Sequence, residues 1–162
     1  MNCVYQVVGR KDSGKTLTIE IAARKLKEMG YTVAVVKHTH HVINPDSKDT
    51  ARFMRSGADV VILHSNDCMW FWECKETEYL DLIPADVVLI EGFESVNLGN
   101  KFVIERPEDA ESIAREIVNR AESCSSDIPL MIRGVNPEKR KKLIFYKLMK
   151  KWGVKEVKLL ET

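Results

Sequence analysis

Apolar residues along this chain fall into short continuous runs alternating with runs of helical period. Val4–Val8 is a compact β-rich run that stops at Gly9. Beyond Gly14, the residues Leu17, Ile21, Ala22, Leu26 and Met29 recur at the spacing of one helix face, and Gly30 supplies a stop. Thr32–Val36 reads as a second strand of buried type. Asn44–Ser47 reads as a turn, with Ser47 as N-cap of a helix that runs to about Ser56 and closes at Gly57. Asp59–Leu63 and the aromatic-rich Cys68–Glu73 read as strands, and Glu78–Ile83 as a short helix before Pro84. Val87–Ile90 is wholly apolar, and Lys101–Glu105 follows as a further strand. Pro107 opens a helix carrying Ile113, Ile117 and Val118 on one side. Ile128–Ile132 reads as a strand, Pro137–Trp152 as a helix and Val154–Leu160 as a final strand or tail. This alternation predicts an α/β fold, a mostly parallel sheet with helices on both faces.

At 162 residues the chain is expected to form a single domain, residues 1–162. Lys and Arg number 25 and Asp and Glu 24, a net charge of +1, which argues against a general nucleic-acid binder. No apolar run approaches the ~20 residues of a membrane helix, and Met1–Val8 lacks the pattern of a signal peptide. Four cysteines, Cys3, Cys68, Cys74 and Cys124, are too few and too scattered for a disulfide framework. Cys68 and Cys74 are expected to be structural. The expected setting is therefore the cytoplasm. Trp70, Phe71 and Trp72 cannot all point inward, which hints at an interface. Residues 137–162 carry nine basic and three acidic side chains, +6, leaving −5 for the rest; the asymmetry suits an anionic partner or ligand, or a solvated helix face, and the solvated face is the expectation.

The sharpest chemical signal is Gly9-Arg10-Lys11-Asp12-Ser13-Gly14-Lys15-Thr16, which fits G-x-x-x-x-G-K-[ST] at every fixed position, between a strand and a helix. Gly9 and Gly14 admit the torsions of a tight loop. Successive N–H groups and a helix N-terminus make an anion site. Lys15 is suited to the β- and γ-phosphates and the Thr16 hydroxyl to Mg²⁺. Arg10 and Lys11 add positive charge.

Glu91 emerges at the carboxyl end of the Val87–Ile90 strand, where such sheets bind ligands, and is the expected acidic partner of the metal; Gly92 lets the chain turn close by. Lys37-His38-Thr39-His40-His41 ends the second strand at the same edge. Alternation puts Lys37 on one side and His38 and His40 on the other. This cluster suits an anionic ligand, a transition metal or a pH-dependent charge. Asp46, Lys48, Asp49, Arg52 and Arg55 follow. Asp49 and Arg52 share a helix face, and the segment is a candidate switch sensing the γ-phosphate, with Arg55 on its solvated side.

Four stretches in order resemble the MobB family of molybdopterin-guanine dinucleotide biosynthesis proteins: Gly9–Thr16, Val36–His41, Lys48–Arg52 with Gly57-Ala58, and Val88–Phe93. The Lys-His-Thr-His-His run is the most specific of them. The resemblance spans roughly the first 106 residues. It implies a P-loop GTPase-like fold, GTP and Mg²⁺ binding, homodimerisation and at most weak GTPase activity. It also implies an adapter role beside a MobA-type guanylyltransferase that joins GMP to molybdopterin. The acidic-Lys-Pro-Gly stretch common in the family is replaced by the shorter Val42–Ser47, so Asp46 and Asp49 both stand as candidate completers of the Mg²⁺ shell. A guanine-reading Asn/Thr-Lys-x-Asp motif is absent, and GTP rests on the resemblance alone. Two alternatives stand beside this reading. One is a metallochaperone GTPase carrying a metal on the His cluster. The other is a small-molecule kinase or ligase, for which no long lid segment is present.

Overall fold

The structure, a computed structural model, describes residues 3–71, 77, 79, 80, 83–124 and 139–156. Its described residues fall into two compact units, residues 1–38 with 80–162, and residues 39–79.

In the larger unit, β1 (Val4–Val8), β2 (Val33–Lys37), β5 (Val87–Glu91) and β6 (Asn100–Val103) form a parallel sheet in the order β2-β5-β1-β6. The central strands β1 and β5 are buried along their whole length, as largely apolar runs covered on both faces should be, with Gln6 and Glu91 as their buried polar members. Tyr5, Val7, Val87 and Leu89 face a core with Ile19, Ala22 and Leu26 of α1 (Lys15–Glu28) and Ala114, Ile117 and Ala121 of α3 (Ala110–Ala121). Fully burying side chains the size of Val, Leu or Ile contributes about 1.5–3 kcal/mol each, so this layer dominates the unit's stability. Lys25 of α1 and Glu111 of α3 close the outer side at 2.5 Å, and that hydrogen bond holds the Glu111 carboxyl below its ordinary value. Gly30, at φ +86°, ends the α1 turn as expected. A 3-10 turn, Pro107–Asp109, precedes α3, and α4 (Lys139–Lys151) follows.

The smaller unit holds α2 (Asp49–Arg55) and an antiparallel ribbon of β3 (Val61–His64) and β4 (Cys68–Phe71), with Ile62 opposite Trp70 and Leu63 opposite Met69. The third strand therefore pairs in a hairpin and not in the parallel sheet. Both its faces show apolar side chains: Ile62, Leu63, Met69 and Trp70 are each about half exposed or more.

Several sequence expectations need correction. β2 is an edge strand with Val35 exposed, where a buried strand was expected; an all-apolar run reads alike in either place. The N-cap of α2 is Lys48 and not Ser47, and no side chain caps it. Cys68 is a free, exposed thiol and not a structural cysteine. Cys3 and Cys124 form a disulfide, with Cα atoms 5.9 Å apart across 121 residues of chain. That pairing is a product of topology: the end of α3 returns beneath the start of β1, and no local spacing records it. The expected strand Ile128–Ile132, Trp72 and Cys74 lie outside the described residues, as do Glu78, Asp81 and Leu82 of the expected Glu78–Ile83 helix.

Candidate functional site

β1 delivers the chain into the loop 9–14, and α1 carries it away. Gly9 and Gly14 are required by close approach. A Cβ on Gly9 would stand 2.2 Å from the Ile104 carbonyl oxygen, and one on Gly14, itself at φ +97°, would stand 2.8 Å from Pro107 Cα. The segment after β6 thus walls the loop from behind. Asp12 also adopts a left-handed conformation, φ 61°. Arg10, Lys11 and Asp12 are exposed, while Ser13 is buried with its hydroxyl oxygen unpaired. Lys15 folds back over the loop, its Nζ donating to the carbonyls of Gly9 at 2.6 Å and Arg10 at 2.5 Å. The first turn of α1 carries no acidic residue, so the positive end of its dipole is uncancelled.

The register Val7↔Glu91 and Val36↔Ile90 brings the carboxyl ends of β1, β5 and β2 to one edge. There Glu91, 8% exposed, accepts from Thr16 Oγ1 at 3.0 Å and pairs with Lys37 Nζ at 2.9 Å. One carboxylate thus gathers the hydroxyl of the loop's last residue and the ammonium of the second strand. His38 extends the β2–β5 ladder by one bond, its N–H donating to the Glu91 carbonyl at 2.9 Å. Its imidazole lies on the Phe93 ring, centroids 4.4 Å apart. Gly92, at φ +95°, keeps this turn close: a Cβ there would approach His38 Cβ to 3.1 Å.

The remaining sequence candidates belong to the smaller unit. His40 is exposed, and the His41 N–H donates to Thr39 Oγ1 at 3.1 Å. Asp49 pairs with Arg52 at 3.1 Å across one helix turn, as their spacing predicts, and Asp46 pairs with Arg55 at 2.5 Å. All four side chains are exposed, so these ion pairs contribute little stability. Among the described residues, no group of three or more His, Cys, Asp and Glu side chains is placed to hold a metal, which gives the His-cluster metallochaperone reading no support. Gln6, in the middle of β1, has no role in the sequence expectations, and Phe93 enters them only as the end of the Val88–Phe93 stretch. A carboxamide in the middle of the apolar run Val4–Val8 was the available signal for Gln6.

The family profile described as "Molybdopterin guanine dinucleotide synthesis protein B" matches residues 4–122. The chain belongs to the MobB family. It is 30% identical over 68% of its length to the Bacillus subtilis (strain 168) protein named "Probable molybdopterin-guanine dinucleotide biosynthesis adapter protein", covering 69% of that relative. It is 32% identical over 54% of its length to the molybdopterin-guanine dinucleotide biosynthesis adapter protein of Haemophilus influenzae, covering 55% of it. The crystal structure of Bacillus subtilis MobB superposes with a TM-score of 0.49 at 31% identity, over 63% of this chain and 67% of that one. The match to the MobB profile takes in both the loop 9–16 and Glu91.

Proposed function

We infer that this chain is a GTP- and Mg²⁺-binding adapter of molybdenum cofactor biosynthesis. In this reading it acts in the cytoplasm as a homodimer, assists a MobA-type guanylyltransferase in attaching GMP to molybdopterin, and has at most weak GTPase activity. The observation that carries the reading is the meeting of Thr16 and Glu91 at the mouth of a Gly9–Thr16 loop in a MobB-family chain.

The residues present fit a magnesium nucleotide. Ser13 Oγ is a buried hydroxyl oxygen with no hydrogen-bond partner, and α1 offers an N-terminus free of acidic side chains. Backbone N–H groups of residues 12–16 would hold the phosphates, and Lys15 would exchange its two loop carbonyls for them. Thr16 and Glu91 would hold the ion and its water shell, with Asp46 or Asp49 as candidates for a further ligand. Bound Mg²⁺ would supply charge neutralisation to the phosphates. Lys37, now on Glu91, would be released toward anionic oxygen once a cation takes the carboxylate. His38, His40, Arg52 and Gly92 complete the proposed ligand and switch set.

The test is a titration of fluorescent GTP and ATP analogues into wild type and Lys15→Ala. A charge-assisted contact contributes roughly 1.5–3 kcal/mol, so the variant should bind GTP at least tenfold more weakly while keeping its thermal midpoint. Equal binding by the two proteins would remove the nucleotide assignment. Stimulation of guanine dinucleotide formation in a mixture with the guanylyltransferase tests the adapter role separately.

A further inference from the structure

Gln6 stands in the middle of β1 and is fully buried. Burying a carboxamide is unfavourable unless its donors and acceptor are matched. Here every match comes from one segment. The two Nε2 protons are shared among the carbonyls of Gly92 at 2.9 Å, Phe93 at 2.8 Å and Val96 at 3.0 Å, and Oε1 accepts from the Leu98 N–H at 3.2 Å. Three carbonyls on one side and an N–H on the other fix which way the amide points.

Residues 92–99 are the crossover from β5 to β6, and they contain no helix. The crossover lies directly on β1: a Cβ on Gly99 would come within 2.5 Å of the Val4 carbonyl oxygen. Gln6 therefore supplies, from below, hydrogen bonds that a crossover helix would make for itself. The front of this strap is the turn at Gly92 and Phe93, both at positive φ. A non-glycine residue holds that conformation when its surroundings enforce it. The Phe93 carbonyl is bonded to Gln6, and its ring carries His38.

We propose that Gln6 is a positioning residue for the phosphate edge of the sheet: through the Gly92–Phe93 turn it fixes the His38 imidazole on the Phe93 ring at the carboxyl end of β2, where that ring meets the terminal phosphate of the nucleotide. The proposal rests on the nucleotide reading above. It assigns Gln6 a role in telling a triphosphate from a diphosphate, since the backbone N–H groups of the loop grip the phosphates common to both.

The experiment compares wild type, Gln6→Met and Phe93→Leu as full chains. Gln6→Met keeps the size of the side chain and loses its polar atoms. Phe93→Leu removes the ring and leaves the carbonyl that Gln6 holds. His38 imidazole proton shifts, which carry the ring current of Phe93, are read by NMR without ligand. GTP and GDP affinities are read by titration in Mg²⁺. Both variants should move the His38 protons and lower GTP affinity roughly tenfold, the scale of one contact to a charged group, while GDP affinity stays within about twofold. Thr32→Val serves as a stability control. It removes the Thr32 hydroxyl bonds to Asp86 before the start of β2, and should leave the GTP-to-GDP ratio unchanged. Equal losses for GTP and GDP, an unmoved His38, or the same ratio change in Thr32→Val would overturn the proposal. If Gln6→Met does not fold, an unchanged ratio in Phe93→Leu overturns it alone. Failure of wild type to bind any nucleotide would instead remove the underlying reading, leaving the His38 shifts to decide whether Gln6 positions the ring.

Discussion

Thr16 Oγ1 donates to Glu91 Oε2 at 3.0 Å across 75 residues of sequence. The contact follows from strand order. β5 is the register neighbour of β1, so the residue ending β5 comes to rest beside the first turn of the helix that β1 feeds. Glu91 is nearly buried, and a buried carboxylate without partners would cost several kcal/mol; Thr16 and Lys37 between them occupy both its oxygens.

That arrangement makes metal dependence the sharpest test of these two residues. Thr16→Ala and Glu91→Gln should each weaken GTP binding by roughly tenfold or more in Mg²⁺, the scale of one charge-assisted contact, and far less in EDTA. Glu91→Gln also releases Lys37, whose side chain is 58% exposed and is readily hydrated. Titrations in parallel buffers check this, and equal losses with and without metal would count against both roles.

The elements around this pair were largely legible in the sequence. Val4–Val8 and Val87–Ile90 are the apolar runs of buried parallel strands. The helical period and Gly30 mark the helix between phosphate loop and second strand, but its buried side is Thr18, Ile19, Ala22 and Leu26, while Leu17 and Met29 of the expected face are exposed. What was not legible is long-range. Nothing local to Val33–Lys37 says that it forms the sheet edge, and nothing near Cys3 points to Cys124. Lys37 and Glu91 were each legible as strand-end residues, but their salt bridge depends on β2 and β5 being neighbours. Gln6 was passed over because a polar residue inside an apolar run declares itself only when its partners, 86 to 92 residues away, are known.

His38 and His40 replaced together by Ala should leave a folded protein. Both are exposed, and the His38–Phe93 ring pair, one of the contacts given up, contributes about 0.5–1.5 kcal/mol. The same variant should fail to stimulate guanine dinucleotide formation by the partner enzyme. Calorimetry and a reconstituted assay check the two halves. Full stimulation would remove the His cluster from the function, and a large stability loss would make it structural.

The Cys3–Cys124 bond closes a loop of 121 residues and joins the start of β1 to the segment after α3. Constraint of the unfolded chain by such a bond contributes about 2–4 kcal/mol. For a domain of this size each kcal/mol moves the midpoint by roughly 2–4 °C, so reduction should lower it by about 5–15 °C. Scans with and without reductant measure this. The bond lies at the opposite end of β1 from Gly9, so GTP affinity should be the same in both forms. An unchanged midpoint would mean the bond adds no stability.

Beside that bond the Tyr5 hydroxyl donates to Cys124 Sγ at 3.4 Å, since a disulfide sulfur has no proton to give. Burial pushes the Tyr5 phenol above its ordinary 10.0; nearby Arg120 opposes the rise and Tyr31 adds to it. A raised value in the folded state means that the native protein favours the protonated phenol more than the unfolded chain does. The resulting stability is fully present below about pH 10 and is lost as pH climbs through the folded value. Denaturant titrations from pH 8 upward should therefore show wild type losing stability in the alkaline range. Tyr5→Phe should start lower by about 1 kcal/mol for the lost hydrogen bond and fall less steeply over the same range. Parallel slopes for the two proteins would show that Tyr5 does not carry the alkaline transition.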